Sequence, residues 1–264
     1  MQLLITGLSG TLAPHLARTA AAAGHTVLGW DRQQVSPDDL PACRAWLDLV
    51  KPDAIAHLGF GAEAWAGLMA RWAAERGAPF LFTSTAMVFD HVPNGPHRVD
   101  DARTARDDYG QYKIRCEDAV REAHPQACIA RIGWQIDAGT GGAAQGNNML
   151  AALDAEQQRD GRIRASTAWV PACSFMPDTA AALLQLIETR ASGTAHLDSN
   201  ADEALSFFTL VQQLKRRFGR EHWQIEAHAE YVHDQRLLAG ARQAVVLPQL
   251  THFLGAQALS GRTA

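Results

Sequence analysis

Tyr109 and Lys113 stand four residues apart in the run Tyr109-Gly110-Gln111-Tyr112-Lys113. On a helix, side chains at that spacing share one face about one turn apart. A phenol beside an ammonium is a proton-transfer pair. The positive charge favours the phenolate, and a bound nicotinamide cation would add to the bias, drawing a group that ordinarily titrates near 10 toward working pH. Tyr112 is the competing phenol, but the residue four beyond it is Cys116. Upstream, the apolar run Phe80-Leu81-Phe82 ends in three hydroxyl residues, Thr83-Ser84-Thr85, and continues as Ala86-Met87-Val88-Phe89-Asp90.

A second constellation lies at the start of the chain, in Thr6-Gly7-Leu8-Ser9-Gly10-Thr11-Leu12-Ala13. Gly7 permits a sharp turn, Gly10 lets backbone approach a pyrophosphate, and Ala13 allows close packing of helix on strand. The N–H groups of the helix that follows can receive the anion, with Ser9, Thr11 and Leu12 in the same turn. Such a turn also joins strands to helices with no ligand at all. What raises the reading is Asp31, at the end of the next strand, where an acid can bond both ribose hydroxyls. That favours NAD, whereas the adjacent Arg32 could pair with the 2′-phosphate of NADP, so the cofactor is read as NAD or NADP. Leu58, Gly59, Gly61 and Ser84 complete the expected cofactor wall. His15 is expected to be exposed or capping rather than a cofactor contact.

These residues need elements to hold them. Short apolar runs at Leu3–Thr6, Thr26–Trp30, Ala54–Leu58, Pro79–Ser84 and Ala127–Ile132 predict strands. Helical apolar spacing falls between them, at Thr11–Ala23, Asp39–Val50, Ala62–Arg76 and Ala105–Ala123. The alternation predicts an α/β fold with a Rossmann-type, doubly wound parallel sheet. Residues 1–137 are read as the dinucleotide-binding core. Residues 138–264 are read as later core elements interleaved with a small substrate-binding region, the whole forming one unit. Alternation is lost there: Gly139, Gly141, Gly142, Asn147, Asn148, Trp169, Pro171 and Pro177 precede a helix at Thr179–Arg190, and another is expected at Phe207–Phe218. Arg131, Trp134, Asn148 and Trp169 are the substrate-side candidates. Arg162 and Arg164 could meet a phosphate, but read more simply as solvated charges.

Taken together, the glycine turn, the Ser-Thr-x-x-Val-Phe-Asp strand end and Tyr-x-x-x-Lys resemble the extended short-chain dehydrogenases/reductases of the epimerase/dehydratase superfamily. The likeness is greatest to the dTDP-4-dehydrorhamnose reductase branch and runs from residue 1 to about 190. Pro52-Asp53, Glu117, Arg131 and Trp134 fall at positions typical of that branch. The resemblance implies that Thr85 bonds the substrate carbonyl, that Tyr109 is the acid/base, and that Lys113 binds the nicotinamide ribose and tunes the tyrosine. It implies an NAD(P)-dependent reductase or dehydrogenase acting on a sugar nucleotide or similar polar metabolite, and a homodimer. The chain departs from the branch at His57-Leu58-Gly59-Phe60-Gly61 and at Pro171-Ala172-Cys173-Ser174-Phe175, both expected to face the substrate. Two other activities stay open. One is an epimerase that retains its NAD; the other is a non-catalytic, dinucleotide-binding regulatory subunit such as that of methionine adenosyltransferase. Ala86-Met87 lacks the added acid/base pair of a dehydratase.

With 264 residues, 47% of them hydrophobic, and a net charge of −4, the chain presents no general field for nucleic acid or an anionic membrane. No apolar run approaches a membrane span, and the first strand lacks the basic head and cleavage site of a signal peptide. A cytoplasmic location is expected. Cys43, Cys116, Cys128 and Cys173 lack metal or redox spacing and are read as reduced and structural, with no metal site.

Overall fold

The computed structural model describes residues 1–137 and 148–255; Gly139, Gly141, Gly142 and Asn147, named above, lie outside them. Among the described residues no helix is long and apolar enough to cross a membrane. The first half alternates as its apolar runs require: β1 (Gln2–Thr6), α1 (Leu12–Ala22), β2 (Thr26–Gly29), α2 (Leu40–Val50), β3 (Ala54–His57), α3 (Glu63–Glu75), β4 (Phe80–Thr85), α4 (Asp108–Ala123) and β5 (Cys128–Ile132). Then come β6 (Trp134–Ile136), α5 (Met149–Asp160), β7 (Ile163–Ser166), β8 (Trp169–Val170), β9 (Cys173–Phe175), α6 (Met176–Glu188) and β10 (Gly193–Leu197). The chain closes with α7 (Phe207–Arg217), β11 (Ile225–His228), β12 (His233–Asp234) and α8 (Leu250–Leu254).

Six strands form one parallel sheet in the order β10-β5-β4-β3-β1-β2. A parallel sheet covered on both faces must be apolar on both, which is why β1 reads Leu3-Leu4-Ile5 without alternation. Leu3 and Ile5 pack with Leu12 and Leu16 of α1 and Leu183 of α6. Leu4 faces the opposite layer, with Leu47 of α2, Trp65, Met69 and Trp72 of α3, and Cys116 of α4. A third core, containing Leu150, Leu153, Ile163, Phe207, Leu210, Leu214 and Trp223, joins α5, β7 and α7. Three parallel two-stranded pairings, β6-β9, β8-β12 and β7-β11, complete the later part.

Two expectations shift for stated reasons. The helix expected from Ala105 starts at Asp108, because the Asp107 carboxylate accepts from the Gly110 amide as its cap. The helix expected from Thr179 starts at Met176, with Pro177 in the first turn, where its missing N–H costs nothing. Strand β10, which completes the sheet, and helix α5 were not expected. Gly193-Thr194-Ala195-His196-Leu197 is too polar to announce a buried strand, and α5 buries only Met149, Leu150 and Leu153. All four cysteines are free and buried.

Candidate active site

At the end of β1 the backbone reverses at Gly7, whose φ is +82°. A Cβ there would stand 2.9 Å from the Gly59 nitrogen, so turn and neighbouring loop touch only because residue 7 is glycine. The contact is pinned from below. Gly59 N–H donates to Thr6 Oγ1 at 2.8 Å, and Thr6 Oγ1 lies 3.0 Å from His57 Nδ1. The hydroxyl, with two acceptor sites and one proton, can accept from Gly59 and either donate to His57 Nδ1 or accept from it, according to the ring tautomer. Burial, reinforced by Lys113 and Arg32, pushes the His57 pKa down to about 3 and keeps the ring neutral. Thr11, at the head of α1, offers no capping side chain, leaving the first-turn amides open to an anion.

A crevice of about 230 Å³ runs from Gly7, Gly10, Thr11 and Leu12 past Leu58 and Ser84 to Thr85, Tyr109 and Lys113. Asp31 is exposed beyond β2, one carboxylate oxygen accepting from Gln33 N–H at 2.8 Å. Arg32 donates to the Phe60 carbonyl and lies over the Trp65 ring at 5.4 Å. The crevice residues fit part of a dinucleotide, with open amides and a glycine-made hollow suited to a diphosphate and Tyr109 and Lys113 beyond them, whereas Asp31 and Arg32 stand outside the crevice lining. Ser9 is exposed and stands outside the crevice lining. Gly61 contributes through its backbone, bonded to Tyr112.

Gly110 sets Tyr109 in place. A Cβ on it would lie 2.3 Å from the Met87 carbonyl, so only glycine lets the first turn of α4 rest on the turn after β4. Thr85 Oγ1 accepts from Met87 N–H at 3.1 Å. Lys113 Nζ, buried, donates to the Thr83 carbonyl at 3.0 Å and sits 4.8 Å from the Phe82 ring. Burial pulls its pKa down to about 8. Burial raises the Tyr109 phenol, the Thr85 hydroxyl opposing, and the Lys113 ammonium donates to the Thr83 carbonyl. Tyr112 is a packing residue: its hydroxyl donates to the Gly61 carbonyl at 2.7 Å and its ring lies beside Phe60.

Thr85 and Tyr109 also line a second, larger pocket of about 550 Å³. Its far wall is aromatic. Trp134 and Trp169 stack at 6.3 Å and 25°, and Tyr231 meets Trp169 edge-on at 5.5 Å. Met87 and Gln235 also line the pocket. Met87, Tyr231 and Gln235 escaped the sequence reading, although Tyr231 is one of only three tyrosines in the chain. Asp198 fixes that wall to the sheet, its carboxylate accepting from the amides of Cys173, Asn200 and Leu237 at 3.0, 2.8 and 3.0 Å.

Several candidates lie elsewhere. Arg131 is buried on the interior strand β5, its Nε and one terminal nitrogen bonded to Glu117 at 2.9 Å and its other terminal nitrogen to the Val99 carbonyl and His196. It clamps α4 to β5 and cannot also meet a substrate phosphate. Asn148 caps α5, accepting from Leu150 N–H at 3.1 Å. Arg162 and Arg164 pair on the surface with Glu226 and Glu230. His15, expected exposed or capping, is partly buried and bonded to Asp137 at 3.2 Å.

The model of the RmlD substrate binding domain matches residues 61–237. A dTDP-4-dehydrorhamnose reductase of Mycolicibacterium smegmatis is 28% identical over 202 residues, 71% of this chain and 60% of that protein. The chain thus spans less than two thirds of that relative's length. The crystal structure of the dTDP-4-dehydrorhamnose reductase of Bacillus anthracis in complex with NADP superposes with a TM-score of 0.79 at 16% identity, covering 96% of both chains. The Bordetella bronchiseptica enzyme WbmH in complex with NAD+ superposes at 0.72, with 16% identity over 91% of this chain and 90% of its own. The matched segment carries Thr85, Tyr109, Lys113 and the aromatic wall, and the chain belongs to the family of the RmlD substrate binding domain.

Proposed function

We propose that this chain is an NAD(P)-dependent oxidoreductase of a carbonyl or alcohol, with Tyr109 as acid/base, Thr85 as the hydroxyl that holds the reacting oxygen, and Lys113 as its neighbour in the cofactor crevice. One observation carries the reading. Thr85 and Tyr109 line both the crevice that fits a dinucleotide and the aromatic pocket, so the two cavities meet at a phenol and a hydroxyl. The relatives named above are reductases, and the solved neighbours hold NADP or NAD, in line with this assignment.

When bound, the nicotinamide supplies or receives the hydride. The protein's own groups do the rest. In the reducing direction Tyr109 gives its proton to the oxygen of the carbonyl as the carbon gains hydride, and a raised phenol pKa keeps that proton in place until it is needed. Thr85 orients the oxygen. Lys113, with a pKa near 8, is cationic below that pH and can turn from the Thr83 carbonyl toward a ribose hydroxyl. Cytoplasmic action, where reduced thiols persist, accords with four unpaired cysteines.

Tyr109→Phe keeps the ring and removes only the proton. Turnover should fall about a hundredfold or more, the range for a lost general acid, with cofactor affinity nearly unchanged. Turnover retained within a fewfold rejects the role.

A further inference from the structure

Of the three rings in the pocket wall, Tyr231 is the most exposed, at 44%. The main chain beneath it is fixed. Ser166 Oγ, at the end of β7, donates to the Tyr231 carbonyl at 2.6 Å and accepts from the amides of Ala168 and Trp169 at 3.1 and 3.2 Å. One hydroxyl thus pins the backbone under both Tyr231 and Trp169. Their side chains are held differently. Trp169 packs against Phe207 and Trp134 at 4.6 and 6.3 Å. Tyr231 meets Trp169 by an edge, and its hydroxyl lies 3.1 Å from His233 Nδ1.

His233 is itself firmly seated. It follows Tyr231 by two residues, where an extended chain returns its side chains to the same side, and Val232 between them is exposed. Its N–H donates to the Ala168 carbonyl at 3.2 Å as β12 pairs with β8, in a register that sets His233 beside Trp169. The buried ring has His91 and His97 at 6.1 and 6.3 Å, and His97 is stacked on Phe89 at 4.3 Å. Burial, reinforced by those two histidines, pushes the His233 pKa down to about 4 against the opposing pull of Asp234 and Asp90. At neutral pH the ring is therefore uncharged, with one N–H and one lone pair. Its Nδ1 bonds the tyrosine hydroxyl as donor or acceptor according to the tautomer.

We propose that His233 is a positioning residue of the pocket: its bond to the Tyr231 hydroxyl holds that ring at the edge of Trp169 and so presets the wall on which a substrate of the sugar-nucleotide class is seated. This rests on the reading above, in which the substrate occupies the pocket beside Tyr109. An exposed tyrosine free to turn about χ1 and χ2 must be ordered each time a ligand binds, at a cost in affinity. A ring already held against its partner avoids that cost. His233 thus acts on substrate affinity and leaves the hydride step to Tyr109 and Thr85.

The chain has three tyrosines, Tyr109, Tyr112 and Tyr231, so protein carrying carbon-13-labelled tyrosine gives three ring signals to follow by NMR. The signal absent from Tyr231→Phe belongs to Tyr231, and in the wild type it should lie away from free tyrosine, shifted by the Trp169 ring. His233→Leu should return it toward the free position. His233→Asn, which places an amide where Nδ1 stands, should restore most of the shift. Unmoved Tyr109 and Tyr112 signals report that the fold is kept; should the leucine variant misfold, Tyr231→Phe decides, since it removes one oxygen and keeps the ring. Thymidine 5′-diphosphoglucose is the binding probe, with the protein saturated in NADP+. Tyr231→Phe and His233→Leu should each weaken its binding by about three- to tenfold, the worth of one hydrogen bond, with asparagine recovering most of the loss and cofactor affinity unchanged. A Tyr231 signal already at the free position, or unmoved by His233→Leu, overturns the proposal. So does asparagine no better than leucine, probe affinity unaltered in Tyr231→Phe, or a wild type that does not bind the probe. Failure to bind NADP+ and NAD+ alike defeats the oxidoreductase reading instead and leaves the tyrosine signals to decide on His233, so the two failures are distinct.

Discussion

The crevice beside Gly7 and the pocket beside Trp169 share Thr85 and Tyr109 and differ in nearly every other respect. The crevice is backbone: a reversed turn, open amides at the head of α1, a loop pinned through Thr6 and His57. The pocket is side chains, brought from the turn after β4, from β6 and β8, and from the segment between β11 and β12. A backbone site recognises what all dinucleotides share, so it tolerates few changes and leaves a glycine signature. A side-chain site can be relined without disturbing the sheet.

Acid acts behind both regions. Burial pushes the His57 pKa down to about 3 behind the crevice, and those of His196 and His233 down to about 4 behind the pocket wall. Each depressed histidine is neutral when folded and protonated when unfolded between its folded pKa and about 6.5, so it removes stability as pH falls through that window. Asp198, raised to about 7 by burial despite its three amide donors, takes a proton in the folded chain and offsets about one histidine. The balance is a stability that falls as pH drops from about 6.5 toward 4, by roughly 1.4 kcal/mol per pH unit for each unbalanced proton. His233 Nδ1 lies 3.1 Å from the Tyr231 hydroxyl, so charging that ring bears directly on the pocket wall. Thermal unfolding across the window checks the fall in stability, and a Tm unchanged between about pH 6.5 and 4 would break it.

A smaller effect isolates the crevice. Gly7→Ala forces a Cβ toward the Gly59 nitrogen at a positive φ, a strain of about 1–3 kcal/mol. Stability should fall by that amount, and cofactor affinity should drop by roughly tenfold as the added methyl displaces the Gly59 loop beside the crevice. Unchanged affinity would show that this turn does not hold the cofactor.

The same division explains what the sequence made legible. Gly7, Asp31, Thr85, Tyr109 and Lys113 sit at fixed offsets from strand ends, because a parallel sheet delivers its strand termini to one edge, and those offsets survive in the chain as spacing. The pocket has no such ruler. Tyr231 and Gln235 reach it through β12 pairing with β8, a contact between residues far apart in sequence, with no periodicity to announce it. Arg131 misled for a physical reason: an arginine at the end of β5 could face either the cleft or the helix layer, and only the buried carboxylate of Glu117 decides for the latter. Strand β10 stayed hidden because His196 within it serves the Arg131 network rather than an apolar core.

The claim that everything rests on is the meeting of cofactor and substrate at Tyr109, and a crystal structure of the protein soaked with NADP+ or NAD+ measures it directly. The account predicts a diphosphate on the amides after Gly7 and the nicotinamide C4 close to the junction, leaving a reacting carbon within roughly 3.5 Å of both C4 and the Tyr109 hydroxyl's reach. A dinucleotide seated away from the Gly7 turn, or a Tyr109 hydroxyl directed out of the cleft in that complex, would contradict it.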